Sequence, residues 1–199
     1  MDRGISLETS GKDQTTETTG KGAMMTTGRI FSAAAILAVS MAGTAFAQSE
    51  SNQVAAETDW VVFEGADPKE CWAVTAPKET LNTRDGSEVT VRRGDILLFV
   101  TYRPGQSISG EVSFTGGYPF ADGSSATLNV GGTTFELFTD GEYAWPATSA
   151  DDQKIVTAIK RGADAVITAR SGRGTQTRDS FSLLGATAMI EEAEKRCAS

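Results

Sequence analysis

From residue 60 onward, apolar side chains alternate with polar ones in short runs cut by Gly, Asp-Gly and Pro, the pattern of half-buried strands separated by tight turns. It predicts strands near 60–63, 70–76, 87–92, 95–102, 108–114, 126–130, 133–138, 142–145, 164–171 and 176–183. Many short strands with turn signals between them predict an antiparallel β-sandwich. One hairpin can be paired residue by residue. Gly131-Gly132 suits a two-residue turn that needs positive φ, which sets Val130 opposite Thr133, Leu128 opposite Phe135 and Ala126 opposite Leu137. That register gathers the apolar side chains on one face and leaves Thr127, Asn129, Thr134 and Glu136 on the other, and a slip of one residue inverts both faces.

Two stretches change period from two to three and four. In the first, Ala150 to Arg161, Ile155, Val156 and Ile159 form the apolar stripe, Ser149 is the expected cap with Asp152 three residues on, and Gly162 ends the helix. Asp151 and Asp152 sit in the first turn, where the helix dipole favours negative charge. In the second, Gly185 to Cys197, one face collects Ala186, Met189, Ile190, Ala193 and Cys197, while Glu191, Glu192, Glu194, Lys195 and Arg196 take the wet side. Along 71–75 the side chains alternate, so a bridge from Cys71 to that helix turns Trp72 toward the core between the sheets.

The residues before this region read as processing signals. Met24 to Ala47 has a basic start at Arg29, an apolar stretch from Ile30 to Thr44 and the small-x-small triplet Ala45-Phe46-Ala47, which predicts a secretory signal peptide over 24–47 cleaved between Ala47 and Gln48. Its strongly apolar part is shorter than the ~20 residues of a membrane span. No cysteine stands near the cleavage point to carry a lipid anchor. Residues 1–23 predict a disordered or mis-assigned leader, with translation expected to start at Met24 or Met25. Residues 48–58 predict a polar tether, leaving 59–199 as a single β-sandwich domain.

The first 47 residues hold four basic and four acidic side chains, so the whole net charge of −8 belongs to the exported part. A surface of that sign repels phosphate backbones and anionic headgroups, which argues against nucleic-acid or membrane partners. The two cysteines, Cys71 and Cys197, are expected to pair in an oxidising compartment, the periplasm or the cell exterior.

Chemistry is constrained by what the chain lacks. It contains no histidine, which removes the commonest general base and the commonest zinc ligand, and it offers no nucleophile elbow, C-x-x-C pair or P-loop. No catalytic residue, metal or cofactor is therefore expected. Gly105-Gln106-Ser107-Ile108-Ser109-Gly110 is one residue too long for an elbow and reads as a turn into the next strand. Ala169-Arg170-Ser171-Gly172-Arg173-Gly174-Thr175 is the candidate anion site, because glycines can turn successive N–H groups inward beside guanidinium charge. The plainer reading is a hairpin tip whose Arg170 and Arg173, with Arg178, pair with surface carboxylates. Tyr118-Pro119-Phe120 and Tyr143-x-Trp145-Pro146 present rings that either meet a partner or plug the ends of the sandwich. Tyr118, Arg170 and Arg173 are the candidate surface-site residues.

Taken in order, Trp60-x-Val62-Phe63, Pro68-x-x-Cys71-Trp72, Arg92-Arg93-Gly94, Gly117-Tyr118-Pro119-Phe120, Val130-Gly131-Gly132, Ala169 to Thr175 with Thr177, Asp179-x-Phe181-Ser182-Leu183-x-Gly185 and the closing Cys197 resemble the invasion-associated locus B (IalB) family of exported proteins of Gram-negative bacteria. The resemblance spans about residues 59–198. It implies a periplasmic or surface-associated β-sandwich without an established enzymatic activity, associated in pathogenic members with entry into host cells. Two functions are carried forward: an envelope binding or interaction module with an unknown partner, and a carboxylate-dependent hydrolase of cell-wall carbohydrate, which needs two acidic groups facing each other across a cleft.

Overall fold

The computed structural model describes residues 52–198; the leader, the signal segment and the Ala47/Gln48 position lie outside the described residues. The strands are β1 (Gln53–Glu57), β2 (Trp60–Ala66), β3 (Lys69–Thr75), β4 (Glu79–Arg84), β5 (Ser87–Glu88), β6 (Leu97–Arg103), β7 (Ile108–Thr115), β8 (Ser125–Val130), β9 (Thr133–Asp140), β10 (Tyr143–Trp145), β11 (Asp164–Arg170) and β12 (Gln176–Ser182). Helix α1 (Ser149–Arg161) separates β10 from β11, and α2 (Ala186–Ala198) follows β12.

Every pairing is antiparallel, and the strands join into one continuous sheet in the order β1-β2-β3-β6-β7-β10-β9-β8-β11-β12-β4-β5. The sheet bends back on itself. The Trp60 indole N–H on β2 donates to the Ser182 carbonyl of β12 at 3.1 Å, and Phe114 of β7 meets Phe181 of β12 edge to face at 6.2 Å. The result is the mainly antiparallel β fold with two helices that the alternation predicts, as a sandwich made from a single sheet.

The β8–β9 hairpin has the predicted register, with Gly131 and Gly132 both at positive φ and Ala126, Leu128, Val130 and Leu137 buried. Helix α2 buries the predicted face of Ala186, Met189, Ile190, Ala193 and Cys197. The bridge is formed: Cys71 on β3 and Cys197 on α2 are disulfide-bonded, with Cα atoms 5.8 Å apart.

Four expectations are corrected. Residues 53–57, read as tether, form β1 on the edge beside β2. The strand expected at 87–92 is reduced to Ser87–Glu88, while the unpredicted β4 at Glu79–Arg84 pairs with β12. The cap of α1 lies one residue earlier than expected, at Thr148, whose side-chain oxygen accepts the Asp151 N–H at 3.2 Å and whose hydroxyl donates to the Asp151 carboxylate at 2.7 Å. Trp72 does not enter the core. Helix α2 itself packs against the inner side of β2 and β3, so the face carrying Cys71 and Ala73 serves both the bridge and the core, and Trp72 stacks on Phe63 on the outer side at 5.6 Å.

Candidate functional site

Among the described residues every lysine, at 69, 78, 154, 160 and 195, is ion-paired to a carboxylate. Arg93, Arg103 and Arg196 are likewise paired. Six arginines have no carboxylate partner among the described residues, and three of them, Arg84, Arg92 and Arg173, line one cleft of about 400 Å³, whereas Arg161, Arg170 and Arg178 lie outside it. Val91, Tyr118, Pro119, Thr175 and Thr177 complete its walls, and Glu142 is the single acidic side chain lining it.

The cleft is built on a fixed floor. The Arg93 guanidinium grips the Asp179 carboxylate through two bonds of 2.7 and 2.6 Å, and its Nε–H donates to the Gly116 carbonyl at 2.9 Å. Asp179 is fully buried, so the pair is held in a medium that strengthens it. Arg93 also lies over the Tyr118 ring at 5.0 Å, and the Tyr118 and Thr177 hydroxyls share a bond of 2.6 Å. Burial pushes the Tyr118 pKa up, opposed by the Thr177 bond and the Arg93 charge, so the phenol stays protonated. The chain reaches Arg93 because Gly117, at φ +71°, passes so close to Gly94 that a Cβ there would lie 2.6 Å from its carbonyl oxygen. No other residue fits that crossing.

The structure separates the three candidate surface-site residues. Tyr118 and Arg173 line the cleft, whereas Arg170 does not. The N–H groups of Ser171, Gly172, Gly174 and Thr175 are spent on Thr175 O, Pro119 O, Ser171 O and Ser171 Oγ, so they form no inward-facing nest. Positive charge here comes from side chains. Arg84, whose Nη2 donates to Thr175 Oγ1 at 2.7 Å, and Arg92 were not singled out as site residues; Arg92 had a signal in the basic Arg92-Arg93-Gly94 run of an acidic chain, whereas Arg84, followed by Asp85-Gly86, had none.

A second cleft of about 480 Å³ brings Glu111, Asp152 and Trp145 together. Both carboxylates already have partners: Glu111 accepts from Arg103 at 3.0 Å, and Asp152 accepts the Val112 N–H at 2.8 Å. On β7, strand β10 reaches only Thr115 and Phe114, so the stretch of β7 edge before them lacks a strand, and α1 satisfies it with Asp152, which accepts the Val112 N–H, and with the Gln153 amide, which donates to Ser109 O. Burial raises the Asp152 pKa above the ordinary 3.8, the Val112 bond opposing and the Glu111 and Asp151 charges adding to the rise. The folded protein therefore favours the protonated acid, and this contribution to stability is present below pH 3.8 and lost as pH climbs through the raised value. Asp152→Asn, which keeps an acceptor and removes the charge, is expected to unfold at higher urea than the native chain at neutral pH, with the difference vanishing in acid. Asp152→Ala should lose about 1–3 kcal/mol, because it orphans a buried N–H.

The aromatic groups divide. Phe120 is buried and Tyr118 packs on it, so that loop plugs one end of the sandwich. Tyr143, 47% exposed, stacks on Trp145 at 5.9 Å on the outside of β10. The outer side of β2, β3 and β6 is also apolar, with Val61, Phe63, Trp72, Val74, Leu97 and Phe99 around one shallow hollow. Among the described residues no helix is long and apolar enough to cross a membrane, and no group of three metal-ligating side chains is assembled. Comparison of the chain with models of known families, with curated proteins and with solved structures finds no match.

Proposed function

We infer that the protein is an exported envelope binding module, of the invasion-associated locus B kind that its sequence resembles, which engages a partner in the periplasm or at the cell surface through the arginine-lined cleft. The observation that carries this reading is the gathering of Arg84, Arg92 and Arg173, without ion pairs, in a chain whose carboxylates outnumber its basic groups. Among the described residues Arg161, Arg170 and Arg178 are without ion pairs too, but they are not gathered there; what sets these three apart is that they line a common hollow. The family reading is supported by where its segments meet: Arg92-Arg93, Gly117-Tyr118-Pro119 and the 171–177 loop, far apart in sequence, all line this cleft. Export is supported by the joined cysteines, which suit an oxidising compartment.

The test is photocrosslinking in the living cell, with a photoreactive residue at position 92 or 173 of the full chain and a control at the exposed Thr157 on α1. The expected result is a discrete adduct from the first two positions and none from the control. Adducts absent from all three, or equal from all three, would remove the reading. The second reading, a hydrolase of cell-wall carbohydrate, draws its support from Glu111, raised-pKa Asp152 and Trp145 sharing a cleft. Release of reducing sugar from cell-wall preparations, lost in a folded Glu111→Gln variant, would favour it over the first.

A further inference from the structure

We propose that the arginine-lined cleft is an oxyanion site, taking a carboxylate or phosphate carried on a small polar body about the size of one sugar ring. The proposal rests on the cleft being the binding site and adds the class of ligand.

Three observations lead to it. The first is charge. The buried Arg93–Asp179 pair cancels itself, so the groups that face the hollow are the guanidinium ions of Arg84, Arg92 and Arg173 against the lone carboxylate of Glu142. In a chain of net charge −8 this is a local reversal of sign, and a hollow with low-dielectric walls concentrates such a field. Guanidinium forks match the geometry of carboxylate and phosphate, and the bonds they form are charge-assisted.

The second is rigidity. Arg93 is held by Asp179 and Gly116 and stacks on Tyr118, Tyr118 is tied to Thr177, and Arg84 is already oriented by Thr175. The floor and Arg84 therefore need not be ordered on binding, and only the exposed Arg92 and Arg173 have to settle on the ligand, which limits the ordering cost through which affinity for small molecules is usually lost. The third is size and composition. About 400 Å³ lies within the range of small-molecule sites, and Val91 and Pro119 supply apolar contact beside the hydroxyls of Tyr118 and Thr177. Glu142 can accept from a hydroxyl of the ligand body.

The test is a titration of the full chain, labelled with nitrogen-15, following the arginine Nε–Hε signals. The probes are inorganic phosphate and D-glucuronate, with D-glucose and chloride at matched ionic strength as controls. Saturable shifts of the Arg84, Arg92 and Arg173 signals with one or both anions, and none with either control, are expected, and the anion that saturates at the lower concentration identifies phosphate or carboxylate as the source chemistry. Arg92→Gln combined with Arg173→Gln changes two exposed side chains, so thermal unfolding should be unaltered while affinity falls tenfold or more. Equal shifts with glucose or chloride, no saturation with either anion, or unchanged affinity in the double variant overturns the proposal. Crosslinks from positions 92 and 173 that persist while neither anion saturates would leave the binding module standing and remove the oxyanion; saturation without crosslinks would do the reverse.

Discussion

Replacing Cys71 and Cys197 together by alanine is expected to lower the unfolding free energy by up to about 5 kcal/mol, the chain-entropy value for a closed loop of this length. The separation of 126 residues is what makes the effect large, because nearly the whole described chain lies inside the loop and the unfolded ensemble loses freedom in proportion to the logarithm of its length. Both positions are buried between β3 and α2, so truncation also opens a small void there. Against a total of about 5–15 kcal/mol for an ordinary domain, such a loss moves the urea midpoint by a large fraction of its value. The measurement is equilibrium unfolding of the native and double-alanine chains, with the native chain repeated under reductant. Midpoints that coincide in all three would show that α2 holds β3 without help from the bridge.

Breaking the buried ion pair ranks second. Arg93→Ala leaves Asp179, which is fully buried, with no cation beside it, and the expected loss is about 3–5 kcal/mol. Most of that penalty comes from the stranded charge rather than from the bonds themselves. Arg93→Met combined with Asp179→Leu should therefore recover much of the stability lost by either single change. The cleft should not recover with it, because Arg93 is also what stacks on Tyr118 and reaches Gly116. Unfolding of the two single variants and the double variant gives the coupling energy. A double variant as unstable as the sum of its parts would mean that Arg93 acts on β12 chiefly through packing.

How much of this was legible in the sequence depends on which side of each strand faces solvent. The β8–β9 hairpin could be paired in advance because Ala126, Leu128 and Leu137 alternate cleanly with Thr127 and Glu136, one face dry and the other wet. Strand β4, with the sequence ETLNTR, shows no such contrast: even Leu81 is 39% exposed, and the strand exists because β12 offers it hydrogen bonds. Strand β1 is an edge whose QVAAE composition resembles a linker for the same reason. Beyond Glu88 the chain leaves the sheet to carry Arg93 to Asp179, and an ion pair spanning 86 residues has no periodicity to announce it. Trp72 was misplaced by supposing that the helix and the core must occupy opposite sides of β3, whereas α2 is part of the core. The cleft was half visible: Tyr118 and Arg173 belong to segments with their own composition, but Arg84 joins them only because β4 pairs with β12, Thr83 opposite Gln176, and Arg92 only because the chain beyond Glu88 runs to Asp179.

The bridge also decides how the molecule answers a mechanical pull. Tension applied at residues 52 and 198 passes through the sulfur atoms and bypasses every residue between 71 and 197. Only 52–70 and Ala198 can be drawn out, each lengthening by at most about 3.5 Å per residue, before the covalent link goes taut. Arg84, Arg92, Tyr118 and Arg173 all lie within the shielded loop, so the cleft they line carries none of the tension while the ends are stretched, until a reductant cuts the link.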